Sequence, residues 1–182
     1  RIMCPKTYAM TDVGNAQRFA DTFGGIVKYI PEENNFRVFD GKRWATPIKG
    51  EIERMSKAIC KQIKEEAASI QDSEQRKILL KFANKSESEQ RIKATINLAK
   101  SEDNIATSIN EFNKNPMLFN CSNGTLNLVT GELQPHNPQD LITQLSPVAY
   151  DKTAKATLFG EFLDKIFNGK KDMIGYLQRI TG

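Results

Sequence analysis

The side chains able to do chemistry in this chain are few and scattered. His136 is its single histidine, and Cys4, Cys60 and Cys121 are its three cysteines, none in a CxxC pair. An odd, widely spaced set of thiols suits neither a disulfide framework nor a zinc knuckle. Any Ser-His or Cys-His pair, or any histidine-based metal centre, has to use His136, which lies in a polar stretch after a proline and reads as a solvated loop residue. Metal-assisted phosphoryl transfer needs carboxylates that converge on a divalent cation. Glu32-Glu33 falls in a turn and Glu65-Glu66 points to two sides of a helix, so neither pair is placed to converge. A phosphate-cradling loop needs GxxxxGK followed by Ser or Thr, and the sequence contains none. Asn168-Gly169-Lys170-Lys171 has the wrong spacing and reads as a helix-ending turn. This inventory argues against catalysis by the chain alone.

Binding chemistry is better represented. Arg54, Lys57, Lys61 and Lys64 recur at helical spacing and form a ridge about 15 Å long, a length suited to successive backbone phosphates. The same pattern also makes an ordinary solvated helix face. Lys42, Arg43 and Trp44 join charge to an aromatic plane, the composition of a stacking site for single-stranded nucleic acid. A lone tryptophan also suits the core, and its large apolar area favours burial against the neighbouring helix. The candidate nucleic-acid contacts are therefore Lys42, Arg43, Arg54, Lys57, Lys61 and Lys64.

Behind these residues the chain changes period several times. After a loose arm (residues 1–10), Thr11-Asp12 supplies a helix N-cap, and Ala16, Phe19, Ala20 and Phe23 follow at helical spacing until Gly24-Gly25. Two β-rich runs, 26–30 and 36–39, flank the turn PEENN, and Asp40-Gly41 makes a second turn before KRW. From Ile48 the period becomes 3.6, with Ile48, Ile52, Met55, Ile59 and Ile63 in one apolar stripe opposite the basic ridge. Residues 71–82 give a shorter helix with Ile78, Leu79 and Phe82 inward. Ser86-Glu87-Ser88-Glu89 reads as a capping box opening a helix that buries Ile92, Ile96 and Ala99. Ile105, Ile109 and Phe112 predict a short helical turn that ends by Asn115-Pro116. The first half of Met117 to Tyr150 then alternates at period two, with Leu126 and Leu128 on one side, between the turn signals Asn123-Gly124 and Thr130-Gly131. Two helices close the chain, one carrying Leu158, Phe159, Phe162, Leu163, Ile166 and Phe167, the other starting near Met173.

The predicted fold class is α+β and helix-dominant, with small β-meanders packed against a helical middle. Residues 1–46 form the arm, helix and meander, 47–116 the helical region, 117–150 a β-unit and 151–182 a terminal helical piece. The expected core includes Phe19, Phe23, Val38, Trp44, Ile52, Met55, Ile59, Phe119, Leu126, Leu128, Phe159 and Phe162. At 182 residues with a net charge of +4, the chain can bury a real core and is mildly basic, which permits an anionic partner without requiring one. No apolar run approaches the roughly 18 residues that span a bilayer, and no signal-peptide pattern opens the sequence, so no membrane partner and a cytoplasmic location are expected.

The order of these pieces resembles one family. TDVGNA…YIPE…FDGKRW, then a helical span, FNCSNGTLNLVTGEL with the PH and DLIT that follow, and a final FLDKIF…YLQRITG are similar to the region preceding the motor in phage, plasmid and poxvirus-type primase-helicases. The resemblance covers Thr11 to Gly182. It implies a non-catalytic accessory domain of a replication protein of a mobile element, lying between a primase module and a superfamily-3 helicase ATPase that assembles as a ring. From about Asp151 the chain resembles the entrance to that helicase domain. Implied partners are DNA, single-stranded or forked, and other copies through the helicase ring. No cofactor is expected in this stretch, and ATP and Mg2+ are expected for the motor. Two other classes stay open: a pure protein-interaction or oligomerisation module, and an enzyme whose site has an unfamiliar form.

Overall fold

The computed structural model describes residues 7–181; Cys4 and most of the expected N-terminal arm lie outside them. The fold is α+β and helix-dominant, and divides into two compact units, Arg1–Ala149 and Tyr150–Gly182.

In the first unit, α1 (Asp12–Phe23) begins where the Thr11 hydroxyl accepts a bond from the Gly14 amide at 3.1 Å. Ala16, Phe19 and Ala20 are buried and Phe23 packs beside them. Gly14 permits a close approach of chain to helix, because a Cβ there would lie 1.9 Å from the Ala9 carbonyl oxygen. Helices α2 (Glu51–Ser69), α3 (Ser73–Ser86) and α4 (Glu89–Ala99) complete the helical layer, α1 packing on α4 and α2, and α2 on α3 and α4. Ile52, Ile59 and Ile63 of α2 are buried as the 3.6 period requires. Each such side chain contributes about 1.5–3 kcal/mol through apolar burial.

Ile48 stands outside this stripe and is 69% exposed. Gly50 adopts φ 75°, a left-handed conformation that cannot continue a helix, so α2 starts three residues after Ile48. Ile78 of α3 is likewise exposed, while Leu79 and Phe82 face inward. The expected capping box is also displaced by two residues. Ser88 is the N-cap, its hydroxyl accepting from the Arg91 amide, whereas Ser86 is buried at the end of α3 and accepts a bond from Asn15 Nδ2 at 3.0 Å. Glu89 pairs with Lys93 rather than reaching back.

The first sheet is the antiparallel meander β1 (Val27–Ile30), β2 (Asn35–Phe39) and β3 (Trp44–Ala45), in that spatial order. Val27, Tyr29, Phe36 and Val38 form one face and join the helical core. The opposite face holds Ile30, Phe39 and Trp44, which cluster with Phe112, Ile109 and Leu141. The second sheet is also an antiparallel meander: β4 (Leu118–Cys121), β5 (Gly124–Asn127) and β6 (Glu132–Gln134).

The two β regions do not merge into one sheet, and the reason lies at the edges of the first. The outer edge of β1 is taken by residues 105–107, with Tyr29 donating to Ile105 and accepting from Thr107. The Trp44 amide on β3 donates to the Ile142 carbonyl. No edge is left for β4 to join.

Alternation in the second sheet runs opposite to expectation. Asn120 and Thr125 are the buried cross-strand pair, while Phe119, paired with Leu126 and through it with Leu133, is 51% exposed. Leu128 is exposed and Leu126 only half-buried. A polar network, set out below, rewards burial of the amide face more than the leucines reward theirs.

The second unit holds α5 (Thr157–Ile166) and α6 (Lys171–Thr181), which pack on each other. Leu163 is its buried contact, whereas Phe159 and Phe162, expected in the core, are exposed.

Candidate nucleic-acid interface

Arg54, Lys57 and Lys61 point outward from α2 and Lys64 is half-buried, so the ridge exists as a surface feature. Its charge is matched locally. The helix carries four basic residues and four acidic ones, Glu51, Glu53, Glu65 and Glu66. Lys64 pairs with Glu87 at 2.5 Å and Lys61 with Glu65 at 3.7 Å, while Arg54 donates to the Lys49 carbonyl. Lys57 lies in a hollow shared with Glu53, Glu87 and Glu89. Exposed pairs of this kind add little stability, about 0–1 kcal/mol each, but they lower the positive potential that a phosphate chain would meet.

The Lys42-Arg43-Trp44 group is built by a tight turn. Asp40 Oδ1 accepts bonds from the Lys42 and Arg43 amides at 2.8 and 2.9 Å. Lys42 sends its ammonium to the Ser122 carbonyl at 2.8 Å. Trp44 is only 2% exposed. Its indole N–H donates to the Pro138 carbonyl at 2.9 Å, with Phe39 tilted against it and Phe112 edge-on. A base cannot stack on a ring enclosed in this way.

Arg43 is different. Its Nε lies 3.8 Å from Asp40 Oδ2, beyond hydrogen-bond reach, and its side chain is 43% exposed. It lines a cavity of about 610 Å³ on the Trp44 face of the first sheet, together with Arg37, Thr46, Phe112, Asn113 and Thr143. Arg37 donates to Thr46 Oγ1 and to Glu33 Oε2, each at 2.6 Å. Asn113 and Thr143 clasp each other through two bonds, Asn113 Nδ2 to Thr143 Oγ1 at 2.9 Å and the Thr143 amide to Asn113 Oδ1 at 3.0 Å. The six sequence candidates thus fall into two sets, one along α2 and one at the β2–β3 turn. Arg37, Asn113 and Thr143 were not among them. Arg37 had a signal, since period two places it between Phe36 and Val38 on the face opposite to theirs; Asn113 and Thr143 had none.

His136 is not a solvated loop residue. It is half-buried, with Nδ1 2.9 Å from Asn120 Oδ1. That oxygen can only accept, so Nδ1 donates to it, and Nε2 is buried with no hydrogen-bond partner among the described residues. Asn120 also accepts from the Thr125 hydroxyl and donates to the carbonyls of Lys42 and Gln144, which satisfies its amide completely. The histidine is a fixed strut.

The remaining reactive groups are held in structural roles. Cys60 and Cys121 are buried free thiols, and burial, aided by the Glu87 carboxylate, pushes the Cys60 thiol up, away from the thiolate that would react. Glu32 accepts from Ser108, Glu33 from Arg37, Glu65 pairs with Lys61 and Glu66 with the buried Arg18. Among the described residues no three His, Cys, Asp or Glu gather as metal ligands, and no helix is long and apolar enough to cross a membrane.

A comparison with curated proteins returns no match. A family model described as D5 N terminal like matches residues 16–168, a span that runs from within α1 through the rest of the first unit and α5 of the second. The chain belongs to the D5 N-terminal-like family, the domain of phage and poxvirus-type primase-helicase proteins.

Proposed function

We propose that this chain is a non-catalytic accessory domain of a replicative primase-helicase of a phage, plasmid or other mobile element, acting in the cytoplasm. It would help the motor engage DNA and would take part in assembly of its ring. ATP and Mg2+ would be used by the motor module. The observation that carries the reading is the family match over most of the chain. The reactive side chains support it, since the paired acids and His136 are committed to internal partners and the Cys60 and Cys121 thiols are buried. Solvent-facing cations on α2 and at Arg43 supply the DNA-facing side.

A second reading, a protein-interaction module without DNA binding, is favoured by the apolar outer face of the second sheet, where Met117, Phe119, Leu128 and Leu133 are exposed, and by the acid-matched α2 ridge. Anisotropy of labelled single-stranded and forked oligonucleotides with this chain separates the two. The DNA role requires binding at low salt that weakens steeply as salt rises; no binding even at low salt would leave the interaction module. Nucleotide hydrolysis and primer synthesis by the chain are expected to be nil, and clear metal-dependent activity in either assay would overturn the non-catalytic assignment.

A further inference from the structure

The cavity on the Trp44 face of the first sheet has a donor pattern that the α2 ridge lacks. Arg37 is paired with Glu33, which also lines the cavity, and Arg43 is the lining cation whose carboxylate partner, Asp40, lies beyond hydrogen-bond distance. Asp40 is the nearest carboxylate to Arg43, but it stands at 3.8 Å and its other oxygen is engaged by two amides. Among the described residues, the terminal guanidinium nitrogens of Arg43 have no hydrogen-bond partner.

Two hydroxyls share the same wall. Thr46 Oγ1 accepts from Arg37 and Thr143 Oγ1 accepts from Asn113. A hydroxyl has one proton to give, and neither of these protons is given to an acceptor among the described residues, so both are free to donate to an occupant. A half-exposed planar fork and two hydroxyl donors suit a group that only accepts hydrogen bonds and carries negative charge. Phosphate oxygens fit that description, and arginine meets them with two parallel bonds. The volume of about 610 Å³ lies within the range of small-ligand sites.

We propose that this cavity is a phosphate-binding pocket with Arg43 as its anion ligand. It deepens the DNA-engaging role proposed above by giving one strand phosphate a seat. The shared chemistry is a phosphate group, carried either by a nucleic-acid strand or by a free nucleotide or phosphate ion. Because the Trp44 ring is enclosed by Phe39 and Phe112, the pocket reads the phosphate and not the base. Strand binding here is therefore independent of sequence.

Trp44 is the only tryptophan in the chain and lines the pocket, so its fluorescence reports occupancy directly. The chain is titrated with an oligothymidylate, with thymidine monophosphate and with inorganic phosphate, as wild type, as Arg43→Gln and as the charge control Lys81→Gln. At least one probe is expected to shift Trp44 emission saturably, with Arg43→Gln weakening it about tenfold or more and Lys81→Gln leaving it within about twofold. A shift produced only by the oligothymidylate assigns the pocket to a strand, and one produced equally by the small probes assigns it to free phosphate. Arg43→Gln must keep the wild-type unfolding midpoint for the comparison to count, and Arg43→Lys, which retains charge without the fork, is the replacement variant if it does not. No Trp44 response to any probe, or a response unchanged in the Arg43 variant, overturns the pocket. In that event oligonucleotide anisotropy at low salt still decides the DNA role separately.

Discussion

The side-chain amide of Asn120 donates to the main-chain carbonyl of Lys42 at 2.9 Å. That bond joins two sheets that share no strand, and it is reinforced by Lys42 Nζ returning to Ser122. Asn120 is 5% exposed and spends both amide protons on carbonyls, those of Lys42 and Gln144. Asn120→Asp faces the two carbonyls with a carboxylate, and a loss of about 3 kcal/mol or more is expected by urea unfolding at neutral pH. In acid, where the carboxyl can regain one proton to donate, part of the loss is expected to return. An Asn120→Asp chain as stable as wild type would mean that the two sheets are joined elsewhere.

The register of α2 is tested by two isoleucines. Ile59 is 1% exposed and Ile48 is 69% exposed. Ile59→Ala is expected to cost about 2–5 kcal/mol through lost burial and a residual cavity, and Ile48→Ala less than about 0.5 kcal/mol. Chemical denaturation of both reads the difference, and equal costs would place the start of the helix three residues too late.

Ser86 and Ser88 separate burial from capping. Ser88→Ala removes the N-cap of α4, at an expected cost of about 1 kcal/mol. Ser86→Ala leaves the buried Asn15 amide without its acceptor, and about 1–3 kcal/mol is expected. The order of the two unfolding midpoints is the readout; a neutral Ser86→Ala would restore that serine to the helix terminus.

Burial pushes the Asp140 carboxyl up, and its Oδ2 has no hydrogen-bond partner. The native state therefore holds that proton more tightly than the unfolded chain does, and the stability it contributes is present in acid and lost as pH rises through the native value. Asp140→Asn is expected to raise the melting temperature at pH 7, with the gain shrinking below about pH 4, where the unfolded aspartate is protonated too. A gain of equal size at both pH values would assign it to something other than the charge.

The first half of the chain is largely legible residue by residue. The Thr11 cap, the Gly24-Gly25 stop, the meander and the Ile52-Ile59-Ile63 stripe follow from propensities that act within a few residues. Burial of Trp44 followed from its area. Legibility fails where partners lie far apart in sequence. Glu89, three positions on, marks Ser86 as a cap by local spacing, but the partner of Ser86 is Asn15, 71 residues away. Apolar character predicts Phe119 and Leu128 inward, yet Asn120 and Thr125 take the inner face. At the candidate interface the cations themselves could be named from the sequence, whereas the pairing of Lys64 with Glu87 at the end of α3, and the distance that keeps Asp40 from hydrogen-bonding the Arg43 side chain, could not.

By itself the sequence determined the element types, the helix-dominant class, the outward basic positions and the family, since each rests on local spacing or on ordered blocks of residues. Only the tertiary structure decided which cations are held by hydrogen-bonded carboxylates, which sheet face is buried and what His136 does. Those outcomes depend on hydrogen bonds and ion pairs between segments tens of residues apart, such as Asn120 with Lys42 or Asn113 with Thr143, and a buried polar group takes whichever partner the folded chain brings within about 3 Å.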